Sequence, residues 1–482
     1  MKNSYKFLPQ EDRKKILLLC DDIRYHSGVG NMAREIVINS AQHFNWVNIG
    51  AAATHPEQGK ILDLSASVNQ ITGLQDASVR IYTSSGYGTP QLLRSTIETE
   101  KPDAIFIFTD PRYWIWLFEM EREIRSSIPL FYLNIWDNYP APMYNKTYYE
   151  SCDLLMAISK QTLNINKIVL GQQAEGKVLK YVPHGVDPEV LYPIRSNPDE
   201  LVSFQDFKAG LFGGREFEFV ALFNSRNIKR KQPSDIILGF RQFCDSLGKE
   251  KASKCALVLH TNPRDESGTD LIAVKDALTD PDLENVFFSV SKLSPKQMNL
   301  LYNVADVNIL ISSAEGWGLS VTEATMAGVM SIVNVTGGIQ DQCRFEDENG
   351  NWIDFSPEFP SNHKGRYRKH GEWVEPIFPA STTLVGSIPT PYIYEDRVNP
   401  EQIAQALLNV YNTPASVRNK NADKGREWAI GQEAGFTSEV MANRVVDACN
   451  EGFESFIPRP SYEVFRVEDS NPSSIKHNLT NY

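Results

Sequence analysis

Two glutamates, Glu315 and Glu323, bracket the short glycine-bearing stretch Gly316-Trp317-Gly318 inside the run DVNILISSAEGWGLSVTEATMAGVMSIVNVTGG at 306–338. A carboxylate repels phosphate, so this pair suits neighbouring hydroxyls or a positive charge that develops during a reaction. The stretch between them suits the opposite partner. Its glycines leave backbone N–H groups open, and a helix beginning near Ser320 would turn its positive dipole end to the same place. That helix is expected to reach Ala327 and stop at Gly328. Ser320-Val321-Thr322-Glu323 also reads as a capping box, in which Glu323 closes the helix start and does no chemistry. Glu315 has no such structural use, standing on what reads as an exposed turn between small residues.

A second group of charges lies upstream, where Arg226, Lys229, Arg230 and Lys231 follow the apolar run 217–223. Such a cluster is usually a solvated patch. At a strand end facing a cleft it would neutralise a diphosphate instead, Arg as a fork of donors and Lys as a point charge. Asp110 and Asp137 close two further apolar runs, 104–109 and 130–136. Ligands gather at the carboxyl ends of parallel strands, although either aspartate could simply cap the next turn. Tyr113, Trp114, Trp116, Trp136 and Tyr139 crowd this rim, as core, as wall, or as a stacking surface for sugar or base. His26-Ser27-Gly28-Val29-Gly30 is a Gly-x-Gly turn between a strand and a helix read over 32–39. His363–His370 (HKGRYRKH) interleaves basic and aromatic residues, a pattern that can hold a nucleic-acid strand or form a solvated loop. No HExxH or CxxC spacing occurs, so no metal ligand set is expected.

Short, continuous apolar runs, such as 15–20 (KILLLC), 104–109 (AIFIFT), 217–223 (FEFVALF) and 307–311, read as strands buried on both faces. Helical stretches alternate with them in both halves, which implies an α/β chain with parallel sheets. A length of 482 residues exceeds one ordinary core. Residues 191–215, with prolines, charges and Gly213-Gly214, read as a linker between a unit at 1–190 and another at 216–432. Residues 340–397 form a long insertion, helices follow at 400–412, 416–430 and 436–453, and 456–482 reads as a loosely held tail. A formal net charge of −12 argues against a general polyanion-binding surface, though not against a local basic groove. Six widely spaced cysteines read as reduced thiols. The first apolar run, 16–20, is too short for a signal peptide or membrane span, so a cytoplasmic location is expected.

In chain order, Gly28-x-Gly30, Pro183-His184-Gly185-Val186-Asp187, Arg226-x4-Lys231 and Glu315-x7-Glu323 resemble the motif series of family 4 type glycosyltransferases, which are retaining and use nucleotide sugars. The resemblance spans roughly residues 15–450. It implies the GT-B fold, two Rossmann-like domains facing across a cleft, with a C-terminal helix near 436–455 crossing back to the first. It also implies transfer of a sugar from a UDP- or GDP-type donor with retention at the anomeric carbon, without metal or other cofactor. On that pattern Arg226, Lys231 and the Gly318, Leu319 and Ser320 amides hold the donor diphosphate, and Gly28 and Gly30 lie near it. Glu323 holds the ribose, Glu315 the sugar, and Lys292 and Leu293 meet the base. Asp137 or Asp110 orients the acceptor hydroxyl. Two positions depart from the pattern: Trp136 stands where a histidine often precedes the aspartate, and His184 where asparagine is usual. The segments RNIKRKQPSD, VNVTGGIQDQC and PTPYIYEDR look especially like enzymes encoded by large tailed phages. The implied acceptor is a surface glycan or small molecule, or else a hydroxymethylated pyrimidine in DNA. A non-catalytic sugar-nucleotide-binding protein on the same fold is the alternative from another class.

Overall fold

The structure is a computed structural model and describes residues 8–53, 57–359 and 361–460. Most of the tail read at 456–482 therefore lies outside the described residues. At its start, the Arg459 guanidinium donates to Glu121 at 2.8 Å.

Parallel strands covered on both faces need apolar residues at successive positions, and the chain supplies them. β1 (Lys14–Asp21) carries five consecutive buried residues at its centre. It pairs in parallel with β2 (Phe44–Ala53). The first sheet adds β3 (Ile61–Asp63), β4 (Val79–Ser85), β5 (Ala104–Phe108), β6 (Leu130–Asn134), β7 (Leu154–Ala157) and β8 (Val178–Tyr181). Their order is β3-β4-β2-β1-β5-β6-β7-β8, with only the edge strand β3 antiparallel. The second sheet contains β9 (Phe219–Asn224), β10 (Cys255–His260), β11 (Val286–Ser289), β12 (Val307–Leu310), β13 (Met330–Asn334) and β14 (Val374–Ile377). It is ordered β11-β10-β9-β12-β13-β14 and wholly parallel. Two Rossmann-like α/β domains with parallel sheets result, the GT-B architecture.

The helices explain how the two halves are tied. α1 (Gly28–Ser40) starts earlier than the sequence suggests, because the Ser27 hydroxyl accepts from Gly30 N at 2.9 Å and caps it. The expected linker is mostly α2 (Leu201–Phe212), ended by Gly213 at φ +61°. Phe212 packs edge-on against Phe217 and Phe287, so α2 belongs to the second domain. α3 (Pro233–Leu247) and α4 (Pro295–Val304) flank the second sheet, and α4 begins with a complete capping box at Ser294 and Gln297. α5 (Leu319–Met326) and α6 (Ile339–Cys343) follow β12 and β13. After α7 (Pro400–Asn412) and α8 (Ala415–Ile430), α9 (Ser438–Ser455) returns to the first domain. Its buried face recurs at helical spacing: Met441, Ala442, Val445, Val446, Cys449 and Gly452. A Cβ at 452 would lie 2.8 Å from a ring carbon of Phe131 on β6, so a larger residue there would lift the helix off the sheet.

The stretch read as an insertion at 340–397 is only partly one. It holds β14, an integral edge strand, and then a hairpin of β15 (Ser381–Ser387) and β16 (Thr390–Arg397). Within the HKGRYRKH segment His363 is buried, Lys364, Arg366, Arg368 and Lys369 are exposed, and the Arg368 guanidinium lies over the Phe378 ring. Arg366 pairs with Glu358 at 3.2 Å and Lys369 with Glu346. All six cysteines are free and buried. Among the described residues no helix is long and apolar enough to cross a membrane.

Candidate functional site

The loop after β12 is built by close backbone packing. Gly338 N donates to Glu315 O at 2.9 Å. A Cβ at Gly337 or Gly338 would collide with the Glu315 or Gly316 carbonyl, so the pair Gly337-Gly338 is what lets β13 support this turn. Gly318 sits at φ +88°, where a side chain is strained, and it is the N-cap of α5 without any capping side chain. The capping box proposed for Ser320 and Glu323 does not form. The Glu323 carboxylate accepts instead from the Tyr302 hydroxyl at 2.5 Å and from Asn224 Nδ2 at 3.4 Å. Burial pushes its pKa up, and the Tyr302 bond opposes that.

Glu315 is not on an exposed turn, as the small residues around it suggested; it is 7% exposed. Its Oε2 accepts from Ser312 Oγ at 3.0 Å and from Arg230 at 3.2 Å, and it forms an ion pair with Lys231. Burial alone would raise its pKa, but Lys231 and Arg230 outweigh that and hold it at about 2. Burial lowers the Lys231 pKa, and the adjacent carboxylate opposes the loss of its proton. The two cations are held by the loop itself. Ser313 N donates to Arg230 O at 2.7 Å, Arg230 to Ala314 O at 2.7 Å, and Gln232 Nε2 to Ile311 O at 2.7 Å. Arg226 turns outward, its side chain 66% exposed, and makes a bidentate pair with Asp265 at 2.7 and 3.0 Å.

The first domain closes a cavity of about 790 Å³ over this loop. Asp137, three residues beyond the end of β6, is half-buried, and desolvation pushes its pKa up against the opposing charge of Arg230. Gly316 allows the approach of the domains, since a Cβ there would lie 2.9 Å from Ile135 O. His184 is pulled down to about 3 by burial, so its ring is neutral. It meets Trp317 and Phe108 edge-on at 6.4 and 5.7 Å.

Of the residues singled out in the sequence, Gly28, Asp137, Arg226, Lys231, Glu315, Gly318, Leu319, Ser320 and Glu323 all line this one cavity. Gly30, Asp110, Lys292 and Leu293 are not on its wall. A Cβ on Gly30 would lie 2.6 Å from Tyr25 O, so that glycine serves packing at the start of α1. Asp110 takes the turn-capping role, accepting from Arg112 N at 2.9 Å and pairing with the same residue's guanidinium. Lys292 is exposed, and Leu293 packs partly buried against the core. Sequence reasoning overlooked Arg230, Asn224 and Tyr302. Arg230 was legible only as one more cation in its run, while Asn224 ends β9 at the cleft, where the strand-end rule could have found it.

The loop, the helix start and both glutamates lie in a stretch that relatives can be compared with. Residues 213–358 match the family model described as glycosyl transferases group 1. The match covers most of the second domain, including Arg226, Lys231, Glu315 and Glu323. No curated protein sequence matches the chain. Among solved structures, an Anabaena protein, HepE, in complex with UDP and glucose aligns with TM-score 0.61 at 13% identity, covering 91% of this chain and 100% of that one. Sucrose-phosphate synthase from Thermosynechococcus elongatus aligns with TM-score 0.62 at 14% identity, covering 92% and 100%. A UDP-forming trehalose-phosphate synthase from Burkholderia xenovorans in complex with glucose-6-phosphate gives TM-score 0.60 at 10% identity, covering 90% and 99%. At such identities the likeness establishes the shared two-domain fold.

Proposed function

We propose that this chain is a retaining glycosyltransferase that moves a sugar from a nucleoside-diphosphate sugar to an acceptor hydroxyl. One observation carries the reading: the buried Glu315 and the half-buried Glu323 lie on either side of a helix start and share a single cavity with Lys231 and Arg226. The group 1 match over 213–358 and the fold shared with UDP-sugar enzymes support it. Glu323, steadied by Tyr302 and Asn224, would accept from the ribose hydroxyls. The first amides of α5 lack intrahelical acceptors by geometry and would receive the diphosphate.

Glu315 pairs with Lys231 on the cavity wall. An incoming diphosphate brings negative charge that would draw Lys231, and Arg226 away from Asp265, while Glu315 is left facing the sugar. As the bond from the anomeric carbon to phosphate breaks, the sugar gains oxocarbenium-like charge and the diphosphate gains negative charge. Glu315 would stabilise the first, Lys231, Arg226 and the helix start the second. The acceptor oxygen bonds to the same face of the anomeric carbon, and its proton passes to the departing phosphate oxygen. Asp137, on the opposite wall beside Arg230, would orient that acceptor hydroxyl. Charge neutralisation by these cations makes the transfer metal-independent in this scheme. Offering the protein a panel of UDP- and GDP-sugars and measuring nucleoside-diphosphate release, with wild type and Glu315→Gln, tests the reading. Release from at least one donor, lost in the variant, is expected. No release from any donor would refute it.

A further inference from the structure

The β15–β16 hairpin links the two walls of the cavity. At its root the buried Asp396 accepts from Thr336 at 2.8 Å and Thr382 at 2.6 Å, and Asp396 N donates to Ser313 O at 2.8 Å, two residues from Glu315. Farther along β16, Tyr394 N donates to Tyr139 O at 2.6 Å, and Asn138 Nδ2 donates to Tyr394 O at 2.6 Å. The hairpin thus fastens a second-domain strand to the segment that directly follows Asp137.

It also completes an aromatic surface on the first domain. Tyr392 of the hairpin lies 5.0 Å, ring to ring, from Tyr144, whose hydroxyl donates to Tyr392 O at 3.2 Å. Tyr144 meets Trp136 edge-on at 5.8 Å, and the Arg112 guanidinium lies over Trp136 at 5.4 Å. Next along the chain, Tyr113 stacks on Tyr87 at 4.2 Å and 6° and remains 52% exposed. Arg112, paired with Asp110, interacts electrostatically with both Tyr144 and Tyr113 and so sits between the two groups of rings, with Trp136 beside Asp137 at the inner end.

We propose that Tyr113, Tyr144 and Tyr392 form a stacking platform for a neutral saccharide acceptor, part of it delivered by the second-domain hairpin. The proposal rests on the reading of the cavity as a nucleotide-sugar site. The C–H face of a pyranose is apolar and packs on aromatic rings, while its hydroxyls need a carboxylate and guanidinium at the edge, which Asp110 and Arg112 provide. Charge disfavours a nucleic acid here. Arg112 is committed to Asp110, Asp137 adds negative charge beside Tyr144, and Arg366 and Lys369 of the other basic stretch are already ion-paired. Binding a duplex depends on several cations free to displace counterions.

The test uses the full-length protein with UDP present, on an array of neutral oligosaccharides and on a duplex containing hydroxymethylcytosine. Wild type, Tyr113→Ala and Tyr113→Phe are compared, and UDP affinity is measured separately by calorimetry. The exposed position 113 keeps the fold out of question. The expected result is capture of neutral oligosaccharides, weakened about tenfold in Tyr113→Ala and restored in Tyr113→Phe, with unchanged UDP affinity. With UDP bound normally, capture of no oligosaccharide, equal capture by all three proteins, or salt-sensitive capture of the duplex alone would overturn the platform. Failure to bind UDP would instead strike the nucleotide-sugar reading beneath it.

Discussion

Replacing Lys231 by Met isolates the pair at the centre of the site. Its partner Glu315 and Lys231 itself keep only 10% and 11% of their side chains exposed, so solvent screens the contact little. Removing one member of a buried pair typically costs 3–5 kcal/mol, and because Arg230 and Ser312 still reach Glu315, about 3 kcal/mol is expected here. Glu315→Gln added to Lys231→Met removes the stranded charge and should recover about 2 kcal/mol of that loss. The pH dependence has a fixed sign. Glu315 titrates at about 2 in the folded chain, below an unfolded carboxylate, so its contribution is present above pH ~4.3 and vanishes as pH falls through 2. In Lys231→Met that acid-side slope should shrink. At the transition state the lost cation should cost about 2–4 kcal/mol, or roughly 30- to 1000-fold in kcat/KM. Urea unfolding at pH 7.5 and nucleoside-diphosphate release provide the two readouts. A single variant within about 1 kcal/mol of wild type, a double variant no better than the single, or turnover within about threefold of wild type would refute the reasoning.

Three further outcomes follow. Tyr302→Phe removes the hydroxyl that donates to Glu323 and should raise the donor KM several-fold, with a smaller change in kcat, by steady-state kinetics. Asp341 is raised to about 6 by burial, and one of its oxygens accepts both Lys160 N and the Tyr181 hydroxyl, a role an amide oxygen can fill. Its folded pKa exceeds the unfolded value, so its contribution is full below pH ~4 and lost as pH rises through 6. Asp341→Asn should therefore be more stable than wild type at pH 7.5, by up to about 3 kcal/mol, and the gain should fade by pH 4 in melting curves. Transfer should continue in excess EDTA; abolition by EDTA and rescue by a divalent cation would contradict charge neutralisation by Lys231 and Arg226.

The parallel strands could be read directly because burial on both faces leaves an unbroken apolar run, as in β1, β5, β9 and β12. β14 escaped because Val374-Glu375-Pro376-Ile377 contains a proline, which a sheet tolerates at its edge, where the missing N–H would face no neighbour. The hairpin escaped because it packs on another domain, so few of its positions reveal a period. At the site, Glu323 was legible from its spacing, and the rival capping box failed because the helix begins at Leu319 with Gly318 as its N-cap, which puts Ser320 inside it, and because Tyr302, from α4, claims the Glu323 carboxylate. Glu315 looked exposed because its burial comes from Lys231 and from Gly337-Gly338, far along the chain. Arg226 and Arg230 could not be ranked from a run of cations. Only the fold shows that Arg230 reaches Glu315 while Arg226 waits at the rim on Asp265.

The most direct measurement is a crystal structure grown with UDP and, separately, with GDP. The expected result for one of them is a diphosphate within hydrogen-bonding reach of the Leu319 and Ser320 amides and of Lys231, with the ribose hydroxyls on Glu323. A nucleotide bound elsewhere, or a cavity left empty by both at millimolar concentration, would contradict the central claim.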